Sequence, residues 1–233
     1  MKIALISVPD IPLGKQRIQD SRLDQIHAIT HSQKKTYVEV ELVAEEFAQD
    51  AQALLISSEA RTDIILKDLE FIETRLARSE QEQEKALLLK LKGILEKETF
   101  IIDAGLEEEE KEAFSSYGLL TSCPVTVVEN KPLDDLNVLM MRVLQESGFI
   151  SFFTIGEKET RAWLITQGTN AWTAAGCVHS DIQKGFIRAE IITFTDFIQA
   201  GSENQAKQAG KMRLESKDYV MQDADIVRFR FNK

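Results

Sequence analysis

Apolar residues in the first sixty positions come in short blocks rather than long waves. Residues 2–8 (KIALISV) form one such block, which predicts a short buried strand. Pro9 and Pro12 end it, because proline cannot donate to a ladder. Leu23, Ile26 and Ile29 recur at helical spacing within residues 22–29, so a helix is expected there. Residues 37–43 (YVEVELV) alternate cleanly and predict a strand with one buried face, and residues 51–56 (AQALLI) predict another, buried on both sides. Strands and helices in this order predict an open α/β sheet.

Between residues 63 and 98 the period changes. Ile65, Leu69, Ile72 and Leu76 recur at four, three and four residues, a coiled-coil seam. A second seam follows the polar SEQEQ, at Leu87, Leu91 and Ile94 with Leu88 and Leu95 beside it. The expected structure is an antiparallel helical hairpin over residues 63–98, with one bent helix as the rival. The acidic run Glu107 to Glu110 should open a helix, since carboxylates favour its positive end. A strand at 124–128 and an apolar helix at 136–143 complete this part, and a boundary is expected within residues 145–149.

The C-terminal part centres on residues 176–194, GCVHSDIQKGFIRAEIITF. A helix runs in from Ala171, and His179, Ser180 and Asp181 offer polar side chains where it stops. Gly185 is expected to permit a tight turn. In the strand beyond it, Ile187, Ala189 and Ile191 fall on one face, and Arg188 and Glu190 on the other. Residues 226–231 (IVRFRF) set Val227, Phe229 and Phe231 against Arg228 and Arg230.

Charge changes the picture more than composition does. The net charge is −10, which argues against general nucleic-acid binding. Residues 1–147 hold 17 basic and 28 acidic side chains, whereas residues 148–233 hold 11 and 10. The nearly neutral C-terminal part can therefore carry a basic face. No apolar run is long enough to cross a bilayer, and Cys123 and Cys177 form no CxxC, so a cytoplasmic protein with reduced thiols and no membrane partner is expected. His27 and His31 share a helix face without a third ligand in view, and no metal site is expected. His179 and Asp181 read as a capping pair rather than an acid–base pair, so no catalytic residue is assigned.

The runs TNAWTAAGCVHSDIQKGFIRAEIITFTDFIQAG and AGKMRLESKDYVMQDADIVRFRFN resemble the TGS domain that closes YchF-type proteins, an Obg-related subfamily of P-loop nucleotide hydrolases. SFFTIGEKETRAWLI is similar to the first hairpin of that domain. Upstream, VPD, DSRLDQI and TYVEVELV resemble the YchF nucleotide domain after its first helix. The resemblance implies a ubiquitin-like β-grasp (TGS) domain at 148–233. Ahead of it, at 1–147, it implies a reduced Rossmann-like remnant of a nucleotide domain, interrupted by the helical hairpin. It also implies docking to RNA, the ribosome or a protein partner.

A phosphate loop needs glycines, a lysine and a Ser or Thr for magnesium. In PDIPLGKQ (residues 9–16) Gly14 and Lys15 are present, but Pro9 stands at the first glycine position and Gln16 at the magnesium position. The DxxG element is absent after the strand at 37–43. In VVENKPLDD, Asn130 keeps the first position of the family's NxxE, while Leu133 replaces the glutamate. The leading expectation is thus a non-enzymatic adaptor without a cofactor. The alternative is a nucleotide-binding hydrolase using ATP or GTP with magnesium, its site rebuilt from Lys15 and Asn130. Arg188, Arg228 and Arg230 are the candidate RNA- or partner-binding residues, expected on an open sheet face. The acidic hairpin is the other candidate surface, for a basic protein partner.

Overall fold

The computed structural model describes residues 1–129 and 135–232. It is an α/β structure with two sheets, and the chain divides into two compact units. Met1–Gln16 and Val40–Ser147 make the first; Arg17–Glu39 and Gly148–Lys233 make the second. The last change of unit comes at Gly148. Residues 17–39 depart from expectation, because they fold with the C-terminal part. Their partners lie more than a hundred residues downstream, where hydrophobic periodicity carries no information.

The elements of the chain up to residue 57 are β1 (Lys2–Ile6), β2 (Gly14–Ile18), α1 (Ser21–Thr30), β3 (Lys34–Thr36), β4 (Val38–Val43) and β5 (Ala53–Ser57). Then come α2 (Ala60–Arg78), α3 (Glu82–Leu95), α4 (Glu108–Phe114), β6 (Val125–Val128) and α5 (Leu136–Glu146). The five-stranded sheet has the order β2-β4-β1-β5-β6, and β1 pairs parallel with both β4 and β5, as β5 does with β6. Parallel neighbours need long crossovers, and the one from β5 to β6 carries α2, α3 and α4.

Helices α2 and α3 run antiparallel, as the pairs Arg75–Glu84, Lys92–Glu73 and the bond from Arg61 to the Glu98 carbonyl require. Ile64, Ile72, Leu88, Leu91 and Leu95 are buried with Ile6, Leu54 and Ile56 of the sheet in one core. At the turn, Glu84 accepts from the Ser79 hydroxyl (2.5 Å), the Tyr117 hydroxyl (2.7 Å) and Arg75 Nε (2.7 Å). Those three donors, Ser79 first, hold its carboxyl down to about 2 from the ordinary 4.5. A depressed carboxyl stabilises the fold above its unfolded pKa, and that stability is lost as the pH falls through the folded value. The ring resonances of Tyr117 should therefore shift between pH 4.5 and 2 as the turn loosens, and Glu84→Gln should flatten that titration. An unchanged pH profile in the variant would exclude Glu84 as the latch.

The remaining elements are β7 (Phe149–Thr154), β8 (Glu159–Thr166), α6 (Ala171–Val178), α7 (Ser180–Lys184) and β9 (Phe186–Ile192). After them come α8 (Phe194–Ala200), α9 (Glu203–Gln208), β10 (Arg213–Glu215) and β11 (Ile226–Phe231). The second sheet has the order β10-β9-β11-β7-β8-β3. It is mixed: β7–β8, β9–β11 and β9–β10 are antiparallel, while β11–β7 and β3–β8 are parallel. Phe152, Ala189, Ile191, Val227 and Phe229 face α6, whose Ala171, Ala174 and Ala175 let it approach closely.

The opposite face is open only in part, where a largely open one was expected. Phe153, Ile192 and Ile226 are in register across β7, β9 and β11, point away from α6 and are buried too. Helix α1 supplies part of the cover. It packs against β8 and α8, its Leu23 and Ile26 are fully buried, and the Arg22 guanidinium lies 5.6 Å from the Phe153 ring centre. Arg22 is held by Asp20 (2.7 Å) and by Asp223 (2.5 Å), and Asp20 also caps α1 through the Arg22 N–H (2.9 Å).

Gly185 departs from its expected reason. Its φ of −91° suits any residue, but a Cβ there would lie 2.1 Å from the Asn232 carbonyl oxygen. Close passage of the chain past β11, not turn geometry, requires glycine at this position.

Candidate functional site

The nucleotide candidates come first in the chain. A phosphate loop holds its ligand on N–H groups at the start of the helix that follows a strand. Here β1 is followed by Ser7 and Asp10 in the left-handed region (φ 54° and 65°) and then by another strand, β2, rather than a helix. Gly14 (φ 105°) opens β2, and Lys15 is an exposed residue of that strand. The first helix along the chain, α1, is already capped by the Asp20 carboxylate. Asn130 lies outside the described residues. No group of His, Cys, Asp and Glu able to hold a metal occurs among the described residues. His27 Nδ1 is hydrogen-bonding distance (2.9 Å) from the Ser32 hydroxyl, and His179 accepts from the Asp181 N–H (3.1 Å) as a helix cap. Cys123 and Cys177 are free, and burial pushes the Cys123 thiol up to about 11, well away from a reactive thiolate.

The arginine candidates lie on β9 and β11, which are neighbours. Register puts Arg188 opposite Arg230, and Arg228 opposite Glu190, all four on the face away from α6. Helix α1 covers Phe153 on that face, but all three arginines remain exposed. The acids divide them. Glu190, itself buried, pairs with Arg230; Arg228 pairs with Glu203 at 2.7 Å; Arg188 forms no ion pair among the described residues. The Arg228–Glu203 pair is solvent-exposed and held by about a kcal/mol or less, so a phosphate could compete for Arg228. Ile187, expected inside with Ala189 and Ile191, is half exposed. The register shifts between Arg230 and Phe231, which leaves Ile187 without a partner across the strand.

A family model for the C-terminal region of YchF GTPases, described as a protein of unknown function (DUF933), matches residues 149–232. Against the ribosome-binding ATPase YchF of Haemophilus influenzae the chain is 33% identical over 233 residues, covering 73% of this chain and 64% of that protein. The chain belongs to the YchF family. The ribosome-binding ATPase YchF of Bacillus subtilis is 42% identical over 130 residues, covering 55% of this chain and 32% of the relative. The chain thus spans less than two thirds of either YchF relative. The YchF GTPase structure from Schizosaccharomyces pombe superimposes with a TM-score of 0.81 at 19% identity, covering 99% of this chain and 97% of that one. At that identity the match establishes a shared YchF-type fold. No helix among the described residues is long and apolar enough to cross a membrane.

Proposed function

We propose that this YchF-family chain acts at the ribosome and docks there through residues 148–233 as a TGS-like β-grasp module. The observation that carries the proposal is the 33% identity to a ribosome-binding ATPase across most of the chain. The exposed arginines at 188, 228 and 230 give the module a chemistry suited to rRNA phosphates, because a planar guanidinium can donate two bonds to one phosphate. On this reading residues 1–16 and 40–147 are the reduced Rossmann-like remnant, with the α2–α3 hairpin as its insertion, and residues 17–39 join the docking module.

Co-sedimentation of the full chain with ribosomes at rising salt tests it. Arg188→Ala with Arg228→Ala and Arg230→Ala should weaken binding and lower the salt slope by roughly one unit per lost phosphate contact. A folded triple variant that binds equally tightly, with the same slope, would move the docking surface to the acidic hairpin.

Nucleotide binding is the second reading, favoured by the relatives' names: both are ATPases, and those names lend the adaptor without nucleotide no support. ATP or GTP with magnesium would then be held by a rebuilt site that includes Lys15 and Asn130. The strand that follows β1 means such a site cannot use a helix N-terminus in the ordinary P-loop manner. Calorimetry of the full chain with ATP and GTP, with and without magnesium, decides between the two. Micromolar magnesium-dependent binding establishes the nucleotide reading, and no heat from either nucleotide leaves the adaptor.

A further inference from the structure

The second unit contains a cleft of about 450 Å³ where β3 lies beside β8, lined among others by Arg17, Lys34, Tyr37, Arg161, Trp163 and Leu164. None of these residues belongs to the arginine face of β9 and β11. On β8, Arg161 and Trp163 are two apart and so share a face, and the Arg161 guanidinium lies 4.1 Å from the Trp163 ring centre. Trp163 is fixed from the other sides. Phe152 stacks under it at 6.3 Å and 15°, and its Nε1 donates to the Thr154 hydroxyl at 2.9 Å. A guanidinium on so rigid a platform loses little freedom when it binds an anion.

The charges around the cleft are unequally satisfied. Lys34 pairs with Glu159 at 3.3 Å, a carboxylate that also feels the charge of Arg161; Lys35 pairs with Asp24; and Glu39 adds a carboxylate to the lining. The guanidinium groups of Arg17 and Arg161 form no ion pair or hydrogen bond among the described residues. Two forked donors are thus left facing a cleft of single-nucleotide size, one of them stacked on an aromatic ring. A stacked guanidinium has a second free face on which a base can lie, and an A-form duplex does not offer its bases in that way.

We propose that this cleft binds single-stranded RNA, with Arg17 and Arg161 taking phosphate oxygens and the Arg161–Trp163 stack receiving one unpaired base. The site is separate from the ribosome-docking face proposed above, and the test contains no ribosomes, so either reading can fail alone. The probe is a fluorescein-labelled oligouridylate, titrated into the full chain in a Trp172→Phe background, which leaves Trp163 as the reporter tryptophan. Anisotropy should rise to saturation at low salt, with a change in Trp163 emission at the same protein concentration. Arg17→Ala with Arg161→Ala should weaken binding by about tenfold or more and reduce the salt slope by roughly one to two units. Arg161→Lys should recover part of the affinity but not the Trp163 signal, since a lysine cannot stack as a plane. The proposal is overturned if the folded double variant binds as the parent does. It is equally overturned if duplex RNA or inorganic polyphosphate competes as well as unlabelled oligouridylate.

Discussion

Replacing Asp68 by alanine is expected to destabilise the first unit by about 3 kcal/mol, the largest effect of any single carboxylate removal in that unit. Asp68 sits on α2, is almost completely buried, and forms no ion pair among the described residues. Its oxygens accept instead from the Leu120 N–H (3.0 Å), the Thr121 N–H (2.8 Å) and the Thr121 hydroxyl (2.7 Å). These bonds pin the segment that leads into β6 onto the helical hairpin. Alanine would strand three donors, at about 1–3 kcal/mol for each that water cannot reach, so about 3 in total after partial relaxation. For a unit of this size that is a fall in Tm of roughly 10 °C. Burial raises the Asp68 carboxyl above its ordinary value of 3.8, against the pull of Thr121 and Leu120. The folded state therefore binds this proton more tightly, and the contribution of Asp68 to stability declines as the pH rises above 3.8. Thermal melts of the full chain check both points. A Tm within a degree or two of the parent would mean that water or a neighbouring group already serves those donors.

The second large effect lies at Gly185. An alanine Cβ would stand 2.1 Å from the Asn232 carbonyl oxygen and 3.1 Å from its carbon. Backbone, rather than the end of a flexible side chain, is in the way. The methyl must therefore displace the chain beyond β11 and break the bond from the Asn232 N–H to the Gly185 carbonyl (2.9 Å). Overpacking of this kind costs roughly 1–3 kcal/mol. The loss should concentrate at the end of β11, next to the Phe186–Phe229 contact. Amide exchange at Asn232 should accelerate while the β7–β8 hairpin stays protected. Full protection at Asn232 in a variant of unchanged stability would show that the close approach relaxes without cost.

Most of what the sequence made legible was local. The hairpin seams, the alternation of β4, β9 and β11, and the start of α5 each depend on neighbours a few residues away. Ile65, Ile72 and Leu91 of the expected seams are buried, whereas Leu87 and Ile94 are only partly so and their neighbours Leu88 and Leu95 fill the core instead. Pairing was less legible. β3 is three residues long, and nothing in KKT points to Thr160 and Arg161 as its partners. β2 (GKQRI) is largely exposed and carries no apolar pattern, so the glycine and lysine it contains read more easily as a loop. The arginines on β9 and β11 could be placed on one face from alternation alone. Their division among Glu190, Glu203 and solvent could not, because Glu203 comes from a different element. The pair Arg161 and Trp163 was within reach of the same alternation argument. What hid the cleft was Arg17, which reaches it only because residues 17–39 fold with the C-terminal part.

That discontinuity sets a timetable during synthesis. Ser32 bonds to Thr160, 128 residues further along, so α1 and β3 leave the peptidyl-transfer centre long before the sheet they complete. At roughly 5–20 residues per second the wait is about 6–26 seconds, far longer than a helix needs to form. Throughout that interval Leu23 and Ile26 have no sheet to cover. The growing chain must keep this early segment from premature partners until β7 and β8 emerge, and nascent-chain stability should rise late and steeply rather than in proportion to length.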